Sequence, residues 1–224
     1  MRALALVHAL LVAVFELVVG FVAPPSCAAC AERVQADRPF CAACATTLEP
    51  LAGDASDAIG AMAPFVYGGA LRTALRAFKY GGRADLARPL GHLMRGYLRA
   101  RPVVADVVVP VPLHPRRRAE RGHDQTALLA RHVARELGVP CDAFTLQRIA
   151  HGPAQASLTR QARLQGASLK FTARNSLHGK RVLLVDDVVT TGATVEACRR
   201  VLLEAGAARV DVLAVARTLT HDDV

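Results

Sequence analysis

Val182-Leu183-Leu184-Val185-Asp186-Asp187-Val188-Val189-Thr190-Thr191-Gly192-Ala193-Thr194 is the run from which the fold is read. With Arg181 it opens as an apolar segment without polar alternation, the pattern of a strand covered on both faces in a parallel sheet. The strand delivers two adjacent carboxylates to the sheet edge, and a short Thr- and Gly-containing loop leads straight into a helix over Thr194–Ala205. Parallel sheets bind ligands at the carboxyl ends of their strands. Backbone N–H groups at that helix start, with the Thr hydroxyls, form a nest suited to a phosphate, and Gly192 allows close backbone approach. Asp186 and Asp187 would repel a phosphate if aimed at it, so they are expected to bind hydroxyls beside it or to hold a hard cation. A vicinal diol beside a phosphate is a ribose 5-phosphate. The rival, a Walker B strand, needs a Walker A partner; Gly179-Lys180 is followed by Arg181 and has no Gly five residues earlier, which removes it.

Outward from this run, short apolar segments alternate with helical ones. Strands are expected over Met62–Tyr67, Ala105–Val109, Arg181–Val185 and Val210–Val215, and helices over Leu71–Phe78, Ala84–Leu98 and Thr126–Leu137. That alternation predicts an α/β fold, a parallel sheet with helices on both faces. The chain has 224 residues, 52% of them apolar, and a formal charge of +9, which excludes a disordered tail or a collagenous fibre. Aromatic residues make up 4%, with no Trp, against a platform that stacks single-stranded bases on a row of rings. Any nucleic-acid contact would therefore run through phosphates, and the excess charge is almost all arginine, 25 Arg to 3 Lys.

Residues 3–22 are nearly all apolar, interrupted by His8 and Glu16. Drawn as a helix, they gather Arg2, His8 and Glu16 on one side, which favours an amphipathic helix docked on the protein; membrane contact and a signal peptide are the alternatives. Cys27-Ala28-Ala29-Cys30 and Cys41-Ala42-Ala43-Cys44 are two C-x-x-C pairs ten residues apart. Two such turns supply four thiolates for a closed structural zinc site. A disulfide framework would need an oxidising compartment, and a thioredoxin-type motif explains one pair only. Cys141 and Cys198 are expected to be buried as small hydrophobes. The expected division is an N-terminal helix over 1–22, a zinc ribbon or knuckle over 23–50, an acidic linker around Asp54–Asp57, and a larger domain over 55–224.

The run from Val182 to Thr194 resembles the phosphoribosyl pyrophosphate (PRPP) loop of type I phosphoribosyltransferases. From Pro25 to about Arg217 the chain is similar to the ComF family, the ComFC-like proteins of bacterial competence. The pieces are the four cysteines, Phe78-Lys79-Tyr80-Gly81, Val109-Pro110-Val111-Pro112-Leu113, Arg121-Gly122-His123-Asp124-Gln125, Gln155 with Arg163, and the PRPP loop. The family usually has an aromatic residue and Asn where this chain has His123-Asp124. The resemblance implies a phosphoribosyltransferase-type fold in which Asp186 and Asp187 bind the ribose hydroxyls with Mg²⁺ nearby, and Thr190, Thr191, Gly192, Ala193 and Thr194 cradle the 5-phosphate. It further implies that Val111 and Pro112 lie at a pyrophosphate-binding strand end, with Lys79 and Arg116 to Arg118 offering positive charge to the diphosphate. A solvated loop face is the bland reading of that arginine cluster. Arg121 and Gln125 are equally suited to a ligand or to capping the helix near Thr126.

Displacing pyrophosphate from C1 needs in-line positioning, charge neutralisation and a nucleophile. Nothing in the sequence selects the nucleophile. An enzyme and a PRPP-sensing accessory protein would share every residue named above. The function implied by the resemblance is a factor that helps transforming single-stranded DNA enter the cytoplasm, acting with a helicase-like partner or a recombination mediator. The alternatives are a metabolic phosphoribosyltransferase acting on a small amine or base, and a zinc-module adaptor with an inactive site. Direct DNA binding is expected to be weak and salt-sensitive. The expected location is cytoplasmic without a membrane span, with membrane association of the N-terminal segment as the variant.

Overall fold

The computed structural model describes residues 25–35, 38–51, 60–149 and 171–219. The expected N-terminal helix over 1–22, the acidic linker, Gln155 and Arg163 lie outside the described residues. The elements, in order, are α1 (Ala42–Ala45), β1 (Ala61–Met62), β2 (Phe65–Val66), α2 (Gly69–Tyr80), a 3₁₀ turn (Ala84–Leu86), α3 (Ala87–Ala100) and β3 (Val107–Pro110). Then come α4 (Pro115–Arg121), α5 (Gln125–Leu137), β4 (Leu146–Arg148), β5 (Phe171–Ala173), β6 (Arg181–Val189), α6 (Ala193–Glu204) and β7 (Arg209–Arg217). Among the described residues no helix is long and apolar enough to cross a membrane.

The main sheet is parallel, ordered β1-β7-β6-β3, with β2 continuing beside β7 past β1. Alternate residues of a strand face opposite sides, and the core divides accordingly. Leu183 and Val185 pack with Leu71, Leu75 and Phe78 of α2, Leu90 and Met94 of α3, and Leu129 and Val133 of α5. Val182 and Leu184 pack with Val195, Cys198 and Leu202 of α6. Both faces are therefore covered, which is why residues 182–185 and 212–216 are unbroken apolar runs.

Where a single strand was expected over Met62–Tyr67 there are two of two residues each. Pro64 lies between them; it has no N–H for the ladder, and its carbonyl instead accepts from Leu51 N at 3.1 Å. The arginine cluster forms α4 rather than a loop. His114 caps it, its Nδ1 3.2 Å from Arg116 N, with Pro115 at the first helical position and Gly122 left-handed at the end (φ 72°). Pro at the start and Gly past the end is a helix signature that the charge had masked. β4 and β5 form a separate antiparallel pair. Three residues each is too short for a periodic signal.

The four-cysteine segment is built into the main core. Cys27, Ala28, Phe40 and Cys41 share one apolar cluster with Leu71 and Leu75 of α2. Thr47 anchors the start of that helix: its Oγ1 accepts from Ala70 N at 2.9 Å and donates to the Cys44 carbonyl at 2.8 Å.

Candidate functional site

Expected to end at Val185, β6 runs on to Val189 because Asp186, Val188 and Val189 stay in register with Ala214, Ala216 and Arg217 of β7. The two acids therefore sit inside the strand and point to opposite faces rather than side by side at the sheet edge. Asp187 shares the face of Leu183 and Val185, where Lys79 Nζ lies 2.8 Å from its Oδ1. Lys79 stands in the last turn of α2, where a cation is favoured by the helix dipole. Asp186 points to the α6 side, close enough for its charge to help raise the pKa of the Cys198 thiol, which burial raises most.

Asp186 is buried, and its carboxyl is pushed up to about 7, first by burial and then by the charge of Asp187. The Asp187 N–H, 2.8 Å from Asp186 Oδ1, and the Lys79 ammonium act in the opposite direction. The two acids thus meet different surroundings: Asp187 faces an ammonium, whereas Asp186 is driven toward its neutral form.

Past Val189 the chain turns through Thr190 and Thr191, both exposed, to Gly192. Gly192 has φ 73° and serves as the N-cap of α6 without any side-chain cap bond. A left-handed residue here admits Gly far more readily than a residue bearing Cβ. The first-turn N–H groups of α6 thus have no side-chain acceptor, the arrangement a phosphate completes. Ala193 is exposed and Thr194 half-buried at that turn.

The other expected ligand residues are placed less uniformly. Val111 is buried, its N–H donates to the Val185 carbonyl at 2.8 Å, and its carbonyl accepts from Thr126 Oγ1 at 2.7 Å. Both its peptide groups are thus engaged within the fold, and Pro112 has no N–H to offer. Arg116 is exposed on α4 and pairs with Glu120 at 3.1 Å. Arg117 and Arg121 of the same helix join Lys79, Tyr80, Gly82 and Glu120 in lining a cleft of about 280 Å³. The Arg121 guanidinium lies 4.8 Å from the centre of the Tyr80 ring, and its Nη1 donates to Gln125 Oε1 at 3.1 Å.

The Arg121-to-Gln125 segment supports the site from below. His123 Nε2 lies 3.0 Å from the Phe78 carbonyl, and Gln125, 1% exposed, reaches the same carbonyl at 3.5 Å. Asp124 caps α5 by accepting from Ala127 N at 3.1 Å, a task that Asp and Asn perform equally well. One residue not singled out from the sequence is Arg217, 5% exposed at the carboxyl end of β7 beside Val189. Its signal was an arginine directly after the apolar run of residues 212–216.

At the other end of α2, the thiols of Cys27, Cys30, Cys41 and Cys44 all lie within 4.8 Å of one another. Cys30 Sγ and Cys41 Sγ are 3.7 Å apart, matching the ~3.8 Å edge of a tetrahedron built on Zn–S bonds of about 2.3 Å. Burial pushes the Cys27 thiol up, yet the N–H groups of Cys30, Cys41 and Ala29 outweigh it and bring the thiol down to about 6. Burial and the three neighbouring thiols push Cys44 up to about 12. A crowded thiol set that resists full ionisation on its own is completed by a divalent cation, and the closed four-sulfur set fits structural zinc.

Residues 18–71 match a double zinc ribbon domain and residues 124–221 a phosphoribosyl transferase domain. The DNA utilization protein YhgH of Salmonella typhi is 35% identical over 63% of this chain, and the match spans 64% of the Salmonella protein's length. The DNA utilization protein YhgH of Escherichia coli K12 is 32% identical over 68% of this chain and 70% of its own. Competence protein F of Haemophilus influenzae is 29% identical over 64% of this chain and 66% of its own. With its zinc-ribbon cysteines, its phosphoribosyltransferase-type parallel sheet and these relatives, the chain belongs to the ComF family.

Proposed function

We propose that this chain binds PRPP together with Mg²⁺ at the carboxyl end of its parallel sheet, and serves the handling of incoming DNA in bacterial transformation. The observation that carries the ligand is the pairing of buried Asp186 and Asp187 with the uncapped, left-handed entry to α6 at Gly192. The first suits ribose hydroxyls and the second a phosphate. In this reading Asp186 and Asp187 orient the ribose. Thr190, Thr191, Gly192, Ala193 and Thr194 hold the 5-phosphate. Lys79 and Arg116 face the diphosphate, and Val111 and Pro112 shape the strand end beneath it. Mg²⁺, when bound, neutralises charge on the diphosphate.

The relatives named for competence and DNA utilization support the biological role. That role places the protein in the cytoplasm, with a helicase-like protein or a recombination mediator as partner. Single-stranded DNA would meet the exposed Arg116, Arg117 and Arg118 of α4 through phosphates, with an affinity that falls steeply as salt rises. The zinc module over 23–50 contributes folding energy, and the domain over 55–224 carries the ligand.

Isothermal titration with PRPP and Mg²⁺ tests the reading. Binding by the wild-type chain, lost in the Asp186→Asn, Asp187→Asn double variant, is the expected result. No binding, or equal binding by both, overturns it.

A further inference from the structure

We propose that Lys79 is an exchangeable counter-ion: its ammonium holds Asp187 until ligand and metal arrive together, then turns into the cationic cleft to meet the ligand's anionic groups. This deepens the PRPP reading and rests on it for what displaces the lysine, though not for where the lysine stands.

Lys79 Nζ is 2.8 Å from Asp187 Oδ1, with side chains 21% and 10% exposed. Opposite charges so close and so little hydrated attract strongly. Asp187 cannot meet a ribose hydroxyl or a cation until that contact yields. It yields readily only if the ammonium has a second seat, and the structure provides one. The backbone of the last turn of α2 is fixed, because the Phe78 carbonyl is approached by His123 Nε2 at 3.0 Å and Gln125 Nε2 at 3.5 Å. The side chain is a flexible four-carbon stem ending in three donors, and it already forms a wall of the cleft.

Arg117 and Arg121 also line that cleft. Among the described lining residues the acid is Glu120, which is engaged by Arg116 at 3.1 Å. An empty cleft therefore repels Lys79 toward Asp187, whereas a cleft holding a diphosphate draws it away. One side chain with two seats, biased oppositely by the free and filled site, is a two-state element. It follows that a bare divalent cation is kept from Asp187 and enters with the ligand.

The probe is Mn²⁺, followed by electron paramagnetic resonance without PRPP, alongside calorimetry of PRPP with Mg²⁺. Lys79→Met is expected to bind free Mn²⁺ on the order of tenfold more tightly than wild type and PRPP with Mg²⁺ on the order of tenfold more weakly, as loss of a charge-assisted contact implies. Adding Asp187→Asn should cancel the Mn²⁺ gain. Lys79→Arg, which keeps the charge, should keep Mn²⁺ out. Lys79→Gln gives the same two readouts should the methionine variant not fold. Unchanged Mn²⁺ affinity on neutralising Lys79, with PRPP still bound by wild type, overturns the counter-ion role and leaves the PRPP reading intact. A gain in Mn²⁺ affinity in a protein that never binds PRPP upholds the counter-ion and removes the PRPP reading.

Discussion

Asp186→Asn should stabilise the ligand-free protein at neutral and alkaline pH. The Asp186 carboxyl rises from an ordinary 3.8 to about 7 on folding, through burial first and the Asp187 charge second. Between those two values the folded state holds a proton that the unfolded state has released. Stability therefore falls as pH rises from about 4 to about 7, then stays level once both states are ionised. At about 1.4 kcal/mol per tenfold change in proton affinity, the loss attributable to this one group is of order 4 kcal/mol at its fullest. Asparagine retains an oxygen to accept the Asp187 N–H, which lies 2.8 Å from Asp186 Oδ1, and it has no proton to lose. The variant should match the wild type near pH 4.5 and exceed it by a few kcal/mol at pH 8. The measurement is urea unfolding at pH 4.5, 6 and 8 in buffer with zinc and no other divalent cation. A variant less stable than wild type at pH 8, or a gap of the same size at every pH, would refute the claim that Asp186 is held at a folding cost.

Two adjacent glycines separate local geometry from composition. Gly69 has φ 47°, and an added Cβ would stand 2.3 Å from the Thr47 carbonyl oxygen, so Gly69→Ala should cost about 2–5 kcal/mol through left-handed strain and disturbance of the Thr47–Ala70 hydrogen bond. Gly68→Ala meets no atom within 4 Å and should lie within about 1 kcal/mol of wild type; equal losses in a denaturant series would show that the junction with Thr47 carries no stability. Removing zinc with a chelator, or substituting Cys44→Ser, should lower stability by well over about 2 kcal/mol. Thermal unfolding with elemental analysis checks this, and an unchanged midpoint at zero bound zinc would exclude a structural metal.

Much of the sheet was legible because β6 and β7 are buried on both faces, which leaves the apolar runs of residues 182–185 and 212–216. The acids and Gly192 were legible because two carboxylates follow directly on an apolar run and a Thr- and Gly-containing loop leads straight into a helix. What sequence pattern could not supply was direction. Whether β6 stops at Val185 or continues to Val189 depends on its pairing with β7, a contact between residues far apart in the chain. That pairing decides whether Asp186 and Asp187 lie together or on opposite faces. Position along the chain likewise identified Lys79 as a rare lysine near a glycine, but its partner lies 108 residues later and is fixed only by the packing of α2 on the sheet. Val111 shows the converse. Its motif pointed to a ligand, yet hydrogen bonding to Val185 and Thr126 occupies both of its peptide groups.

The same helix explains why a zinc corner and an acid pair belong to one chain. At its first turn, α2 is tied through Ala70 to Thr47, and Thr47 to the carbonyl of Cys44. At its last turn it presents Lys79 to Asp187. Twelve helical residues span roughly 18 Å at 1.5 Å per residue. Leu71, Leu75 and Phe78 are fully buried along its length, so the helix cannot tilt at one end without disturbing a close-packed core. The four cysteines thus do more than staple a short segment. They lie at the footing of the helix whose last turn presents Lys79 to Asp187.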